Sequence, residues 1–96
     1  MEKNNSTDQL FEAVLALKDK EECYKFFADA CTPKEIQAIA QRYNVAKMLY
    51  NKAVYSEIIE ATGASTATIS RVSRSINEGY KMVFERISRI SVSVKI

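Results

Sequence analysis

The stretch over residues 56–76, SEIIEATGASTATISRVSRSI, restricts the possible folds more than any other part of the chain. Its apolar spacing predicts two short helices joined by a tight turn. Gly63 suits the left-handed residue that commonly ends a helix, because glycine has no Cβ to clash. Ser65 suits the N-cap of the next helix, because its hydroxyl can accept a hydrogen bond from a free backbone N–H. The stretch therefore predicts a helix-turn-helix.

The second helix of this stretch has two different faces. Ile69, Val72 and Ile76 share one face, which predicts packing against a core. The opposite face is small, hydroxylated and basic, which suits the floor of a DNA groove. We therefore interpret residues 66–76 as a recognition helix. The candidate DNA-binding residues are Ser65, Thr66, Ala67, Thr68, Ser70, Arg71 and Arg74.

Charge is distributed unevenly along the chain, whose formal net charge is +2. Residues 1–64 carry 8 Lys/Arg against 10 Asp/Glu, whereas residues 65–96 carry 6 against 2. The positive part contains the proposed recognition helix, as a surface that binds a polyanion requires. Chance unevenness in a small chain is the alternative explanation.

The composition favours one all-helical domain with a modest core. The chain has 96 residues, 47% of them hydrophobic, but only two glycines and one proline. No apolar run approaches the roughly 20 residues of a membrane span, and the N-terminus has no apolar signal region. We therefore expect a cytoplasmic protein in which Cys23 and Cys31 are reduced and buried.

The signals for catalysis and metal binding are weak. The chain has no histidine, which removes the commonest general base. Two isolated cysteines do not form a zinc motif. We expect no enzymatic activity, no metal site and no cofactor.

Two helices are predicted before the first proline. The first runs over about residues 7–18, with Ser6 and Gln9 in capping-box spacing. The second begins after Asp19, with Glu22 as the partner of that cap. Its expected buried stripe comprises Cys23, Phe26, Phe27 and Ala30.

The third helix has the clearest start in the chain, because Thr32 can cap it, Pro33 suits its first position and Glu35 can reach back. It is predicted to run to about Lys52. Apolar residues cover more than one of its sides, so it needs partners on more than one side. In so short a chain we expect the additional partner to be a second copy.

After a break at residues 77–79, a last amphipathic helix is predicted over about residues 79–91. Residues 91–96 alternate like a strand. Because no neighbouring strand is predicted, we interpret them as a tail or a packed extension.

Thr32, Pro33, Glu35 and Arg42, followed by the string GASTATISRV at residues 63–72, resemble the Trp repressor family. The resemblance is greatest to its Trp-repressor-like proteins of the YerC/YecD type, and it covers about residues 7–90. It implies an all-α fold of six helices, an intertwined homodimer, and a helix-turn-helix that reads a palindromic operator in double-stranded DNA. It also implies a single domain over residues 1–96. The helix-turn-helix would lie at about 55–76 and the dimerisation core at about 7–52 and 79–91.

The resemblance also implies roles for particular residues. The base-facing positions fall on Thr66, Ala67 and Ser70. Basic residues that hold phosphates in family members are replaced here by Ser56 and Ile59. The possible effector pocket comprises Thr32, Arg42, Arg71, Val72 and Ser75.

In the Trp repressor two arginines hold the indole of tryptophan, and the matching positions here are Arg42 and Arg71. Val72 replaces a glycine that makes room for the ligand, and overpacking a close-fitting site typically costs about 1–3 kcal/mol. We therefore expect no tight binding of tryptophan. A different or smaller effector, or none, remains open. Alternatively, Arg42 forms a surface ion pair and Arg71 contacts a phosphate.

The leading interpretation is a homodimeric, sequence-specific transcription regulator. The alternative is a helical module for protein interaction or assembly that does not read DNA. An interaction surface would more often expose aromatic residues or leucine on the second helix of the motif.

Overall fold

The computed structural model describes the backbone of residues 1–95 and the side chains of residues 1–89. It contains six helices, and no strand occurs over residues 1–95, so the predicted all-α class is confirmed. The helices are α1 (Asn5–Leu15), α2 (Lys20–Ala30), α3 (Pro33–Tyr50), α4 (Tyr55–Thr62), α5 (Thr66–Ser75) and α6 (Glu78–Lys95). Within the described part of the chain, none of these helices combines the length and apolarity needed to cross a bilayer.

The chain divides into two compact units, residues 1–36 and residues 37–96. We describe each unit by itself. The boundary lies near the start of α3, so the second unit contains most of α3 and all of α4, α5 and α6.

The first unit begins its helices with side-chain caps. Asn4 caps α1, since its Oδ1 accepts a hydrogen bond from the backbone N–H of Thr7 at 2.9 Å. The prediction of Ser6 as the cap is therefore wrong: asparagine is an equally strong N-cap, and it starts the helix earlier. Asp19 caps α2 as predicted, accepting from the N–H of Glu22 at 2.9 Å. The carboxylate of Glu22 reaches back to the N–H of Lys18 at 2.8 Å.

The predicted buried stripe of α2 is wrong for the single chain. Neither α1 nor α2 contains a buried residue. Phe26 and Phe27 are half-buried and meet edge to face with ring centroids 5.1 Å apart, whereas Cys23 and Ala30 are exposed. Cys23 and Cys31 are both free thiols, and the expected burial of Cys23 does not occur. Within the first unit no further layer covers the apolar side of these two helices.

The start of α3 is the capping box that the sequence predicts. The N–H of Thr32 donates to Oε1 of Glu35 at 2.8 Å, and the N–H of Glu35 donates to Oγ1 of Thr32 at 3.2 Å. The backbone N–H of Thr32, with a further contribution from its hydroxyl, holds the pKa of Glu35 below its usual range. The helix ends at Tyr50, slightly before the predicted end, and Lys52 takes a left-handed conformation with φ 65°.

The second unit has a compact apolar core. Ile69 and Val72, predicted as the core face of α5, are buried, and Ile76 packs against them partly buried. The buried residues of this core are Val45, Ala46, Ile58, Ala64, Ile69, Val72 and Phe84. Because every helix from α3 to α6 contributes to it, this core fixes α4 and α5 on the rest of the unit.

The C-terminal residues do not behave as a strand. Helix α6 continues through Lys95, beyond the predicted end near residue 91. Extending an existing helix costs far less than nucleating a new element, and a single strand has nothing to pair with. Ile96 lies outside the described residues.

Candidate nucleic-acid interface

The turn between α4 and α5 depends on a left-handed glycine. Gly63 has φ 71° and its N–H donates to the carbonyl of Ile59 at 2.9 Å. A Cβ built at Gly63 would meet nothing within 4 Å, so the backbone conformation, rather than lack of space, requires glycine here. The hydroxyl of Thr62 donates to the carbonyl of Ile58 at 2.8 Å and accepts from the N–H of Ala64 at 3.2 Å. The turn is therefore hydrogen-bonded within itself.

The start of α5 is capped by Ser65, as the sequence predicts. Its Oγ accepts from the N–H of Thr68 at 3.1 Å and donates to Oγ1 of Thr68 at 3.1 Å. The Ser65 hydroxyl therefore donates its proton within the cap. The hydroxyl of Thr68, which is half-buried, still has its own proton to donate. These two candidates mainly hold the helix start in place.

The other candidate residues lie on the outer face of α5. Thr66, Ala67, Arg71 and Arg74 are exposed, while Ser70 is half-buried at the edge of this face. We call these residues the α5 outer face. Helix α5 packs against α4, so this face points away from the contact that joins the two helices.

The cations of the α5 outer face are not neutralised. Among the described side chains the one ion pair is Lys25 with Glu21, at 3.6 Å, so Arg71 and Arg74 have no carboxylate partner. Residues 37–96 carry nine Lys/Arg against four Asp/Glu. Unpaired guanidinium groups in a positive unit form a surface that attracts polyanions.

Helix α4 presents a different surface. Ser56 and Ile59 are exposed where family resemblance implies cations, and Tyr55 beside them is exposed as well. The carboxylate of Glu57 is engaged locally, accepting from the N–H of Val54 at 2.9 Å. Cationic contacts to a phosphate backbone from this motif must therefore come from α5.

The five positions of the possible effector pocket differ in environment. Arg42, Arg71 and Ser75 are exposed, and the hydroxyl of Ser75 donates to the carbonyl of Arg71 at 2.9 Å. Val72 is only 3% exposed and belongs to the core of the second unit. Thr32 lies in the first unit, where its hydroxyl serves the cap of α3. The valine side chain thus fills space inside the protein rather than lining an open cavity.

Sequence reasoning missed Gln41. Its side-chain amide donates to the backbone carbonyl of Thr62 at 3.1 Å, and both residues are half-buried. The available signal was a polar residue one helical turn before Val45, on the side of α3 that faces the core. In the part of the chain that is described, no group of three or more His, Cys, Asp or Glu side chains could hold a metal ion.

Two short helices joined by a glycine turn, the second with a cationic and hydroxylated outer face, are typical of helix-turn-helix proteins. Comparison with known proteins gives the family. The Trp repressor protein family matches residues 5–90, and the chain belongs to this family. It is a family of helix-turn-helix DNA-binding regulators rather than of enzymes.

Three similar proteins support this assignment. The chain is 55% identical over 83 residues to the uncharacterised protein YerC of Bacillus subtilis strain 168, with 83% of this chain and 80% of YerC covered. A solved TrpR-like protein from Eubacterium eligens has a TM-score of 0.87 and 54% identity, covering 90% of this chain and 92% of that one. A candidate Trp repressor from Staphylococcus aureus has a TM-score of 0.86 and 47% identity, covering 90% and 89%. The predicted family and the six-helix fold are therefore confirmed.

Proposed function

We propose that this protein is a sequence-specific DNA-binding transcription regulator that acts as a homodimer through α4 and α5. The observation that carries the proposal is the α5 outer face, which is largely exposed, hydroxylated and cationic, with no neutralising carboxylate among the described side chains. Double-stranded DNA in the major groove matches this chemistry. Such a role requires access to DNA, which agrees with the predicted cytoplasmic location.

Base reading would be distributed over small side chains. Thr66, Ala67 and Ser70 offer methyl contacts and single hydrogen bonds instead of bidentate pairs. DNA shape and bridging waters would then contribute much of the discrimination. Arg71, Arg74 and the free N–H groups at the start of α5 would hold phosphates and fix the position of the helix on the duplex.

Exposed apolar side chains support the homodimer. Large hydrophobic residues remain at least one-third exposed on all four helices outside the motif: Leu10, Phe11 and Leu15 on α1, Tyr24 on α2, Ile39 and Tyr50 on α3, and Met82, Val83 and Ile87 on α6. The first unit also has an open apolar groove of about 450 Å³, whose lining includes Tyr24, Phe27, Pro33 and Ile36. Exposed apolar surface on this scale is typical of a chain that completes its core with a partner.

Regulation by tryptophan does not fit the proposed site. Val72 occupies the position that the family uses to admit the indole ring, and its side chain is packed in the core. Opening space for a ligand there would require displacing a buried side chain. We therefore propose that operator binding does not depend on tryptophan, with Arg71 acting on phosphate.

The protein-interaction alternative is less well supported. It expects exposed aromatic or leucine side chains on α5, yet none of the exposed large hydrophobic residues among the described side chains lies on that helix. Apart from Met1 and Val54, the exposed large apolar residues lie on the helices expected to form the dimer and on α4. The alternative therefore has no distinct surface on the recognition helix.

Selection of bound sequences from random duplex DNA, with and without a pool of amino acids, tests the proposal. We expect a palindrome whose half-sites are about one helical turn apart, unchanged by the amino acids. Sedimentation of the free protein should give a dimer. Failure to enrich any sequence would favour the interaction module, and a changed selection on adding the pool would restore an effector site.

A further inference from the structure

One side-chain hydrogen bond joins the turn between α4 and α5 to α3. Among the described side-chain hydrogen bonds, the one from Nε2 of Gln41 to the carbonyl of Thr62, at 3.1 Å, joins residues 21 positions apart, while the others join residues within four positions. We propose that Gln41 is a positioning residue that fixes the α4–α5 turn and thereby the placement of the recognition helix. The proposal rests on the proposed DNA-binding function.

The carbonyl that Gln41 contacts needs a partner from outside α4. The last four carbonyls of a helix receive no hydrogen bond from an N–H of the same helix. In α4, the carbonyl of Ile59 receives the N–H of Gly63 at 2.9 Å, but Thr62 is the last helical residue. The amide of Gln41 satisfies its carbonyl while both residues are half-buried. Losing the amide of Gln41 would leave this carbonyl to water alone and would remove the stabilisation of one intramolecular hydrogen bond.

The position of Gln41 on α3 makes this bond a directional constraint. Gln41 lies one turn before Val45, whose side chain is fully buried in the core shared with Ile58 and Ile69. Apolar packing at Val45 is non-directional and tolerates sliding, whereas a hydrogen bond weakens steeply when its angle changes. Together the two contacts fix both the distance and the rotation of the turn relative to α3.

Rotation of the turn matters for reading DNA because Ser65, the cap of α5, follows it directly. In a homodimer the distance between the two recognition helices depends on the placement of each on its own α3. Loosening this placement would relax the preferred spacing of the half-sites without removing any phosphate contact. Gln41 would thus act on operator geometry through Thr62, and it would touch no base.

The test compares the full-length wild type with Gln41→Met and Gln41→Glu, which keep the length of the side chain but cannot donate. Gln37→Met is the matched control, since Gln37 is exposed on α3 one turn earlier. The first measurement is amide hydrogen exchange of Gly63 and Ala64 in the free protein. The second is affinity for palindromes whose half-site spacing is varied by one base pair in each direction.

In both Gln41 variants the amide hydrogens of Gly63 and Ala64 should exchange with solvent about 3–10 times faster than in the control. Both variants should also bind the preferred operator about 3–10 times more weakly, and lose a similar factor of discrimination between spacings. For Gln41→Met the dependence of binding on salt should stay unchanged, because this substitution changes no charge.

The Gln41 variants could melt at a lower temperature and still show the hydrogen exchange and spacing preference of Gln37→Met. This result would overturn the proposal, because Gln41 would then only stabilise the fold. If the wild type binds no palindrome, the proposed function fails, and the exchange measurement still decides whether Gln41 holds the turn. If Gln41→Met does not fold, Gln41→Glu provides the comparison of hydrogen exchange and of spacing preference.

Discussion

Truncation of Val72 to alanine tests how the recognition helix is held in the core. The side chain is 3% exposed, so the variant loses the burial of two methyl groups, worth about 1.6 kcal/mol at roughly 0.8 kcal/mol each. A residual cavity adds to this loss, which brings the expected destabilisation to about 2–3 kcal/mol. For a domain of this size, such a loss should lower the melting temperature by roughly 10–20 °C.

Thermal melting followed by circular dichroism measures this effect. The concentration of protein must be equal for all variants, because the stability of a dimer depends on it. Ser73→Ala is the matched control, since Ser73 is the next residue of α5 and is exposed. Its stability should change by less than about 0.5 kcal/mol. A loss below about 1 kcal/mol in Val72→Ala would refute the view that this side chain fills a tightly packed site.

The same melting experiment tests whether the protein binds tryptophan. A ligand at 100 times its dissociation constant stabilises a protein by about 2.7 kcal/mol. We expect no shift in the wild type at millimolar tryptophan, because Val72 is packed in the core where the ligand would need space. A clear rise in melting temperature would show that the valine moves aside and that Arg71 lies in a working effector pocket.

Three further predictions concern the salt dependence of DNA binding, the pH dependence of stability and the recognition of bases. Arg71→Ala and Arg74→Ala should each flatten the plot of log affinity against log salt by about 1.8 in a homodimer, one phosphate contact per protomer, while Arg86→Ala on α6 should leave the slope unchanged. Glu35→Gln removes a carboxyl whose pKa is held below its usual range by Thr32. The ionised carboxylate of Glu35 therefore stabilises the wild type above the ordinary carboxyl pKa, and this stabilisation is lost as the pH falls through the lowered pKa. The melting temperatures of wild type and Glu35→Gln should accordingly converge on acidification. A difference that stays constant with pH would contradict the role given to this carboxylate. Ala67→Arg should change the selected sequence more than the non-specific affinity, and an unchanged sequence would remove Ala67 from the reading surface.

Local signals in the sequence predicted the parts of the fold that depend on neighbouring residues. The cap of α3 at Thr32, the left-handed Gly63 and the cap at Ser65 each form within about four residues, and all three occur as predicted. The start of α1 was wrong because Asn4 and Ser6 have similar capping propensities. Such competition between equivalent caps is decided by small free-energy differences that residue type alone does not reveal.

Contacts between residues that are distant along the chain could not be predicted from the sequence. The bond from Gln41 to Thr62 depends on how α3 lies against the turn, and no local pattern encodes that arrangement. The prediction that Cys23 is buried was wrong for a related reason. Helical periodicity predicts which face of α2 is apolar, but it does not say whether this chain or a partner covers that face. The length of α6 was underestimated because alternation of serine and valine suggested an extended tail.

The distribution of burial separates two kinds of mutational effect in this protein. The unit that carries α4 and α5 has its own apolar core, whereas residues 1–36 have no buried residue in the single chain. Under the proposed function, substitutions on the α5 outer face should therefore alter DNA binding with little effect on folding. Substitutions of exposed apolar residues on α1 should act through assembly, and their effect on DNA binding should diminish as the protein concentration rises. Val72 and Gln41 differ from both groups, because Val72 anchors α5 in the core and Gln41 bonds the end of α4 to α3.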